Sequence, residues 1–282
     1  MEVPQTLRIA SGNSPSRIHL ARLRAKRFDR EEKVDLSDEK DAIIRDFQKN
    51  AEELGIIVDG RMLSSFALYY KNLVEWNKVM NLTAITEEKD VYEKHFLDSL
   101  TITQIVSRET LEKGCTILDM GTGAGFPGLP IAIVFPKTKV VLMDSLNKRI
   151  RFLEDTIGQL GLTNVTAVHA RAEELARKKD YREKFDLCCS RAVANLATLS
   201  EYCLPFVRKG GQFVSYKTEQ VQEEIEKSRK AVHALGGGNE QTVFFTLPGT
   251  EYKRSLVLIE KISPTPSKYP RKAGIPSKEP IN

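Results

Sequence analysis

The stretch from Ile117 to Pro130 reads ILDMGTGAGFPGLP, and it decides the fold. An apolar run ends in a carboxylate, Asp119, and Gly121, Gly123 and Gly125 follow at alternate positions. Glycines in this arrangement let the backbone adopt positive φ and bring a ligand close to the main chain. A strand that ends in such a loop and is followed by a helix is typical of the first βα turn of a doubly wound sheet.

The residues around these glycines distinguish between classes of nucleotide-like ligand. The spacing is GxGxG, and Phe126 occupies the place where a dinucleotide site has its third glycine for tight helix packing. Asp119 would repel a pyrophosphate and would favour a cationic ligand. The loop resembles motif I of the class I S-adenosylmethionine methyltransferases, so the predicted cofactor is S-adenosylmethionine.

The composition is that of a soluble globular protein, with 282 residues, 41% hydrophobic and 29% charged. The sequence contains no run of about 18 apolar residues that would predict a membrane span, and the N-terminus lacks the apolar core of a signal peptide. The cysteines have no paired spacing and the histidines no metal-ligand spacing. We therefore expect a cytoplasmic protein with reduced thiols, no metal and no membrane contact, and we expect a monomer.

The chain divides by pattern into four parts. Residues 1–38 are polar and basic, and we interpret them as a flexible extension. Residues 39–111 repeat apolar positions at three- and four-residue intervals, which predicts an N-terminal helical region. Residues 112–262 are the predicted methyltransferase core, and residues 263–282 are a basic, proline-containing tail. The predicted N-terminal helices cover 41–54, 59–76 and 87–106. The net charge of +5 and the basic ends permit a nucleic-acid partner.

Short apolar strands alternate with helical segments in the predicted core, which indicates parallel strands joined by right-handed crossovers. The last two strands, over 242–247 and 255–262, have only a turn at Pro248 and Gly249 between them. They form a hairpin, so the sheet should end with one antiparallel strand. The predicted fold class is α/β, a Rossmann-like, seven-stranded and mostly parallel sheet with an N-terminal helical attachment.

Charged side chains follow the predicted strands at the edge of the sheet where a ligand lies. Asp144 closes the second strand and is placed to accept both ribose hydroxyls of an adenosine. The alternative is that Asp144 caps the helix that follows it. Ala172 and Glu173 follow the third strand and are expected beside the adenine, although the same residues suit an ordinary helix N-terminus.

Two cations follow the next two strands. Arg191 either pairs with the methionine carboxylate or holds a phosphate or a base edge, or it is a structural residue paired with a nearby carboxylate. Lys217 ends the fifth strand and faces the same edge. His95 is more often a satisfied interfacial histidine than a catalyst, and the helix that contains Tyr69 requires nothing beyond burial in the core.

Seven blocks of sequence carry a resemblance to a known family. In chain order they are WNKVMNLTAI from Trp76, KHFLDSL from Lys94, the glycine loop with Phe126-Pro127-Gly128, DSLNKR from Asp144, RAE from Arg171, SRA from Ser190 and YPRKAGIP from Tyr269. Together they resemble the ribosomal RNA small subunit methyltransferase G family, also called the glucose-inhibited division protein B family. The resemblance covers the chain from about residue 43 to the C-terminus and leaves the preceding residues without a counterpart.

The resemblance implies methyl transfer from S-adenosylmethionine to N7 of one guanine in 16S ribosomal RNA, as naked RNA or within the small ribosomal subunit. It further implies that Asp144 binds the ribose, as in class I methyltransferases generally. The positions that match the cofactor contacts of the family are Gly121, Phe126, Ala172, Glu173 and Arg191. Gly123 and Gly125 complete the predicted cofactor loop.

The predicted chemistry fits these residues. Guanine N7 carries a lone pair and no proton at neutral pH, so its attack on a sulfonium methyl requires no general base, and catalysis would be alignment. The candidate catalytic residues are Arg191, Lys217 and Asp119, the last through stabilisation of the positive charge that reaches the guanine. Lys217, Arg271 and Lys272, with Arg191, are expected to guide RNA through phosphate contacts.

Three alternatives compete with this interpretation. A small-molecule methyltransferase would use the same cofactor loop, but the basic tail disfavours it. A non-catalytic RNA-binding factor would keep the fold without binding the cofactor tightly. A dinucleotide oxidoreductase is the weakest alternative, because Phe126 and the final hairpin both oppose it.

Overall fold

The computed structural model describes residues 38–191 and 194–281. The chain divides into two units, residues 1–44 and residues 45–282. The described residues of the first unit, 38–44, are helical. Residues 1–37, which hold nearly all of the expected basic extension, lie outside the described residues.

The second unit begins with two helices, α1 over residues 45–53 and α2 over Gly60–Met80. Asp59 caps α2, because its Oδ1 accepts a hydrogen bond from the Met62 amide at 2.8 Å. The helix ends where Asn81 adopts a left-handed conformation with φ 48°. It therefore extends beyond the predicted end at residue 76.

The third predicted helix, over 87–106, is a chain of short turns of different kinds. It consists of α3 (Glu88–Val91), a π-helical turn (Tyr92–Leu97), α4 (Asp98–Leu100) and a 3-10 turn (Thr101–Gln104). Hydrophobic periodicity indicates which side of a helix is buried, but it does not reveal a change in the hydrogen-bond step along the helix. A further helix, α5 (Arg108–Lys113), precedes the sheet.

The sheet has seven strands in the order β3-β2-β1-β4-β5-β7-β6. Neighbouring strands are parallel from β3 to β5, and β7 is antiparallel to both β5 and β6. This confirms the predicted fold class and the single antiparallel strand, β7, which lies between β5 and the edge strand β6. The strands are β1 (Thr116–Met120), β2 (Lys139–Asp144), β3 (Val165–His169), β4 (Phe185–Ser190), β5 (Val207–Thr218), β6 (Gly237–Thr246) and β7 (Lys253–Lys261).

The helices of the core pack on the sheet, and apolar side chains fill the space between. The helices are α6 (Gly128–Val134), α7 (Asn147–Leu160), α8 (Ala172–Leu175), α9 (Leu196–Cys203), α10 (Gln222–Ala234) and α11 (Ile275–Lys278). The central strands β1 and β4 are almost wholly buried, as parallel strands between helices are. All four cysteines are buried and free.

The strand order indicates at which point of the sheet a ligand would bind. The chain leaves β1 toward β2 on one side and later returns to β4 on the other, so the carboxyl ends of β1 and β4 flank a crevice. No helix in the described part of the chain is long and apolar enough to cross a membrane.

Candidate active site

The glycine loop after β1 takes the backbone conformation that its sequence predicts. Gly121, Gly123 and Gly125 have φ of 69°, 62° and 98°, values that L side chains rarely adopt. A Cβ at Gly125 would lie 2.6 Å from both the Tyr69 hydroxyl and the Leu129 side chain. The Tyr69 hydroxyl donates a hydrogen bond to the Ala124 carbonyl of the same loop. Tyr69 thus does more than fill the core, contrary to the expectation from its helix.

Asp119 binds residues at both ends of this loop. Its Oδ2 accepts hydrogen bonds from the Thr122 hydroxyl at 2.6 Å and from the Gly128 amide at 2.8 Å. Its Oδ1 is buried without a partner among the described residues. Burial raises the pKa of Asp119 to about 6. The carboxylate is fully buried and lines neither cavity described below, so the geometry gives no support to its proposed charge-stabilising role.

Asp144, at the end of β2, ties the glycine loop to the next turn. Its Oδ2 accepts from the Gly123 amide at 3.0 Å and from Arg149 Nη1 at 3.1 Å, and its Oδ1 accepts from the Leu146 amide at 2.9 Å. The alternative that Asp144 caps α7 does not describe the structure, since Leu146 is the N-cap residue and no side chain caps that helix.

A cavity of about 310 Å³ opens at the carboxyl ends of β1, β2 and β3. Four of the predicted cofactor residues line it together: Gly121, Asp144, Ala172 and Glu173. We call it the smaller cavity. Its volume is that of a small-molecule site. Tyr202 of α9 and, from the C-terminal tail, Gly274 and Ser277 also line it.

The other predicted cofactor residues do not line the smaller cavity. Gly123 and Gly125 shape its loop, and Phe126 lies behind the loop in a stack of rings. The Phe126 ring is 4.4 Å from the His95 ring, with 21° between the planes, and 5.4 Å from the Tyr69 ring. The guanidinium of Arg191 covers Phe126 at 5.1 Å from the ring centroid.

Arg191 is held by residues of the π-helical turn and α4. Its Nη1 donates to Asp98 Oδ2 at 2.9 Å and to the Lys94 carbonyl at 3.1 Å, while Nη2 lies 3.1 Å from His95 Nδ1. Arg254 of β7 donates to the other oxygen of Asp98, also at 2.9 Å. Asp98 is buried, and its two oxygens join the guanidinium that follows β4 to the guanidinium on β7. The structural alternative for Arg191, a pair with a nearby carboxylate, is the arrangement observed.

His95 is a neutral ring in this network. Burial, with the charge of Arg191, lowers the pKa of His95 to about 3. Because a guanidinium can only donate, the contact with Arg191 selects the tautomer in which Nδ1 accepts and Nε2, 2.9 Å from Thr83 Oγ1, carries the proton; the other tautomer would donate from Nδ1 to the Lys94 carbonyl at 3.2 Å. Both nitrogens are engaged, as expected of an interfacial histidine, and His95 is not a proton carrier near neutral pH.

A larger cleft of about 650 Å³ adjoins the ends of β4 and β5. Four cations line it, Lys94, Arg191, Lys217 and Arg254, against two carboxylates, Asp98 and Glu224. We call it the cationic cleft. Lys217 lies in it as predicted, and its Nζ donates to the Ala194 carbonyl at 2.7 Å and to Glu224 Oε1 at 2.6 Å.

The two tail residues that were predicted to contact RNA, Arg271 and Lys272, lie in different environments. Lys272 is exposed, whereas Arg271 is turned inward onto Glu201 of α9, with Nη2 2.7 Å from Oε2 and Nε 3.0 Å from Oε1. Nε and Nη2 form one edge of the guanidinium, and a buried carboxylate engages this edge. Its geometry therefore does not support the expected phosphate contact of Arg271.

Sequence reasoning left several residues of the site without a role. Asp98 and Arg254 are 156 positions apart, and no local pattern indicates that they meet. Gly274 belongs to a tail that was expected to serve RNA. Asp144 and Arg149 are the first and last residues of the block DSLNKR, and their closeness in sequence could have predicted the ion pair between them.

The family model and the relatives that match this sequence carry the same family description. The sequence model of the family described as GidB, rRNA small subunit methyltransferase G, matches residues 62–257. A protein named ribosomal RNA small subunit methyltransferase G from Lachnoclostridium phytofermentans is 51% identical over 235 residues, 83% of this chain and 96% of the relative. Its namesake from Bacillus velezensis is 50% identical over 238 residues, 84% of this chain and 98% of the relative.

The fold also matches a solved structure. The CurJ carbon methyltransferase superposes with a TM-score of 0.50 at 11% sequence identity, over 73% of this chain and 68% of that one. At this identity the similarity concerns the fold alone.

Proposed function

The chain belongs to the GidB family, rRNA small subunit methyltransferase G, and from this premise we propose that it methylates N7 of one guanine in 16S ribosomal RNA. It is an S-adenosylmethionine-dependent methyltransferase of ribosomal RNA. The choice of guanine and of N7 is our proposal, from the resemblance set out above. We further propose that it acts in the cytoplasm as a monomer, on the small subunit or its RNA.

The observation that carries the proposal is the pair of cavities along the carboxyl edge of the sheet. The smaller cavity brings Gly121, Asp144, Ala172 and Glu173 together. The cationic cleft lies at the ends of β4 and β5, and Arg191 is part of its lining. A cofactor site beside a positively charged acceptor site is the arrangement that transfer of a methyl group to a polyanion requires.

The smaller cavity fits the adenosine part of S-adenosylmethionine. Its glycine loop admits close approach of a ligand, since a Cβ at Gly123 would meet nothing within 4 Å. Asp144 is a buried carboxylate with about four acceptor positions, of which three are taken by Gly123, Leu146 and Arg149. It thus keeps one position for a ribose hydroxyl, and a second hydroxyl binds only in place of Arg149.

Arg191, which lines the cationic cleft, keeps donors for a ligand. A guanidinium has five N–H donors, and the described partners Lys94, Asp98 and His95 use three of them. The stack on Phe126 fixes the plane of the group. We propose that the remaining donors bind the carboxylate of the cofactor.

The chemistry requires little of the side chains besides positioning. Bound S-adenosylmethionine supplies an electrophilic methyl group on a sulfonium. The guanine acceptor at N7 has no proton to lose, and His95 in the cleft is neutral with both nitrogens engaged. The cationic cleft binds the RNA backbone and holds an unstacked guanine in line with the methyl group. Alignment of this kind contributes several kcal/mol to the barrier reduction.

Methyl transfer to small-subunit particles tests the proposal. Particles from cells that lack the protein are incubated with it and with tritiated S-adenosylmethionine, and the label is mapped by nucleotide. We expect label at N7 of one guanine in 16S RNA. As a control, the variant Asp144→Ala should lose the reaction through a raised KM for the cofactor.

Other outcomes identify the alternatives. Label in small metabolites and none in RNA would establish a small-molecule methyltransferase. A folded protein that binds RNA but fails to bind S-adenosylhomocysteine in calorimetry would be a non-catalytic RNA-binding factor. Label at a different atom of the guanine would contradict N7 while leaving the methyltransferase assignment intact.

A further inference from the structure

The C-terminal tail, residues 263–281, lies against the core through its backbone. Arg182 donates to the Thr265 carbonyl at 2.8 Å and to the Tyr269 carbonyl at 3.0 Å. Arg177 donates to the Pro270 carbonyl. Two arginines of the core thus hold these three carbonyl groups of the tail, two of them consecutive, which fixes its course over the surface.

Arg271 adds a charged anchor at the next position. Its amide donates to Glu201 Oε1 at 2.7 Å, and its guanidinium binds both oxygens of the same carboxylate. Glu201 lies on α9 and is only 1% exposed. A carboxylate buried to this degree depends on its partner, because loss of Arg271 would leave a buried charge unpaired.

The anchored tail then reaches the smaller cavity. The Gly274 amide donates to Glu173 Oε1 at 2.9 Å, and Gly274 takes a left-handed conformation with φ 82° to do so. Gly274 and Ser277 line the same cavity as Asp144 and Tyr202 of α9. The tail therefore supplies part of the wall and orients one of the residues expected beside the adenine.

We propose that the tail is a wall of the cofactor site, and that Arg271 and Glu201 are positioning residues that set the affinity for S-adenosylmethionine. This rests on the proposed function, because it assigns the smaller cavity to the cofactor. It replaces the sequence-based expectation that Arg271 contacts RNA phosphate. Lys272, exposed beside it, remains available to RNA.

Two neighbouring substitutions test the proposal in the full-length protein. Arg271→Ala removes the anchor, and Lys272→Ala removes an exposed cation of equal charge from the next position. We expect Arg271→Ala to raise the Kd for S-adenosylhomocysteine at least about tenfold, and Lys272→Ala to leave it unchanged. In methyl transfer, Arg271→Ala should raise the KM for the cofactor with little change in kcat at saturation, and Arg271→Lys should restore part of the affinity.

A second pair of variants tests the wall without disturbing the anchor. Ser277→Trp places a large ring at the cavity and should weaken binding of S-adenosylhomocysteine, whereas Lys278→Trp, one residue further along, should not. This pair keeps the test decisive if Arg271→Ala does not fold.

The proposal is overturned if Arg271→Ala and Ser277→Trp bind S-adenosylhomocysteine like the unmodified protein. It is also overturned if Arg271→Ala lowers only the affinity for small-subunit particles and flattens its salt dependence, which is the signature of a lost phosphate contact. Failure of the unmodified protein to bind S-adenosylhomocysteine would instead refute the proposed function.

Discussion

At the scale of single residues, the site depends on buried carboxylates that each hold two groups together. Asp119 joins the start and the end of the glycine loop through Thr122 and Gly128. Asp98 joins Arg191 to Arg254. Removal of one partner from such a site leaves a buried polar group unsatisfied, which is costly in free energy. Substitutions here therefore affect the stability of the fold and the geometry of the site together.

Asp119→Asn should change how stability depends on pH. The folded-state pKa of Asp119 is raised from 3.8 to about 6. The folded protein therefore holds this proton more tightly than the unfolded chain, and stability from this group is lost as the pH rises from about 4 to about 6. The asparagine does not titrate. The free energy of unfolding of the unmodified protein, minus that of the variant, should fall by up to about 3 kcal/mol over this range. Denaturant titrations at several pH values measure it, and a difference independent of pH would contradict the raised pKa.

Arg191→Ala and Arg254→Ala form a matched pair, because each removes one guanidinium from Asp98. Both variants should lose about 1–3 kcal/mol of stability, as one oxygen of a buried carboxylate loses its partner. Only Arg191 covers Phe126 beside the cofactor loop, so only Arg191→Ala should raise the Kd for S-adenosylhomocysteine, by about tenfold or more. Calorimetry and thermal unfolding together separate the two effects, and equal rises in Kd would show that both act through stability alone.

At the scale of elements, the N-terminal helices support the cofactor loop. Helix α2 supplies Tyr69, whose hydroxyl binds the Ala124 carbonyl and whose ring stacks on Phe126. The π-helical turn supplies His95 on the same ring and the Lys94 carbonyl to Arg191. An extra residue in one helical turn reorients the side chains that follow it, and such turns are frequent at functional sites. The helical attachment is therefore part of the site.

Tyr69→Phe tests this support, and Tyr92→Phe is its control. Both hydroxyls are buried, but within the described chain the Tyr92 hydroxyl has no hydrogen-bond partner. Tyr69→Phe should lower the free energy of unfolding by about 1 kcal/mol and weaken cofactor binding, since the loop loses a donor while the ring stack remains. Tyr92→Phe should leave both unchanged or raise stability slightly. Chemical denaturation and calorimetry measure the two, and equal behaviour of the variants would exclude a role for the Tyr69 hydroxyl.

At the scale of the whole molecule, the cationic cleft is assembled from parts far apart in sequence. It takes Lys94 and Asp98 from the helical region, Arg191 and Lys217 from two parallel strands and Arg254 from the antiparallel strand. The smaller cavity adds the tail through Gly274 and Ser277. The cationic cleft is complete only with the last strand, and the smaller cavity only with the tail, so binding of the cofactor should stabilise parts of the fold that are far apart in sequence.

Deletion of residues 1–37 should leave methyl transfer unchanged. The relative from Lachnoclostridium phytofermentans matches over 96% of its own length but over only 83% of this chain, and the family resemblance in the sequence begins only at about residue 43. Steady-state kinetics on small-subunit particles, with full-length protein as the reference, test this. A raised KM for the particles without a change in cofactor affinity would instead assign the extension to RNA binding.

The sequence predicted what depends on local pattern. The alternate glycines, Asp144 and the alternation of strands and helices were sufficient for the loop, the seven-stranded sheet and four of the cavity residues. Contacts between distant positions were beyond reach, as with Asp98 and Arg254. Arg271 was assigned to RNA because it is basic and near the end of the chain, and nothing local indicates that a carboxylate on α9 binds it. A basic residue in a sequence indicates that it binds an anionic group, but only the folded structure shows whether that group belongs to the same protein.

The four cysteines are buried, so in the folded protein we expect them to resist oxidants and alkylating reagents. Burial raises the pKa of Cys115 to about 11 and the pKa values of the other three above their ordinary range. The thiolate is the reactive form, so oxidants and alkylating reagents find little to attack until the sheet opens. The rate at which the thiols of the native protein are modified therefore reports how often the fold opens, so the cysteines can be used to follow unfolding.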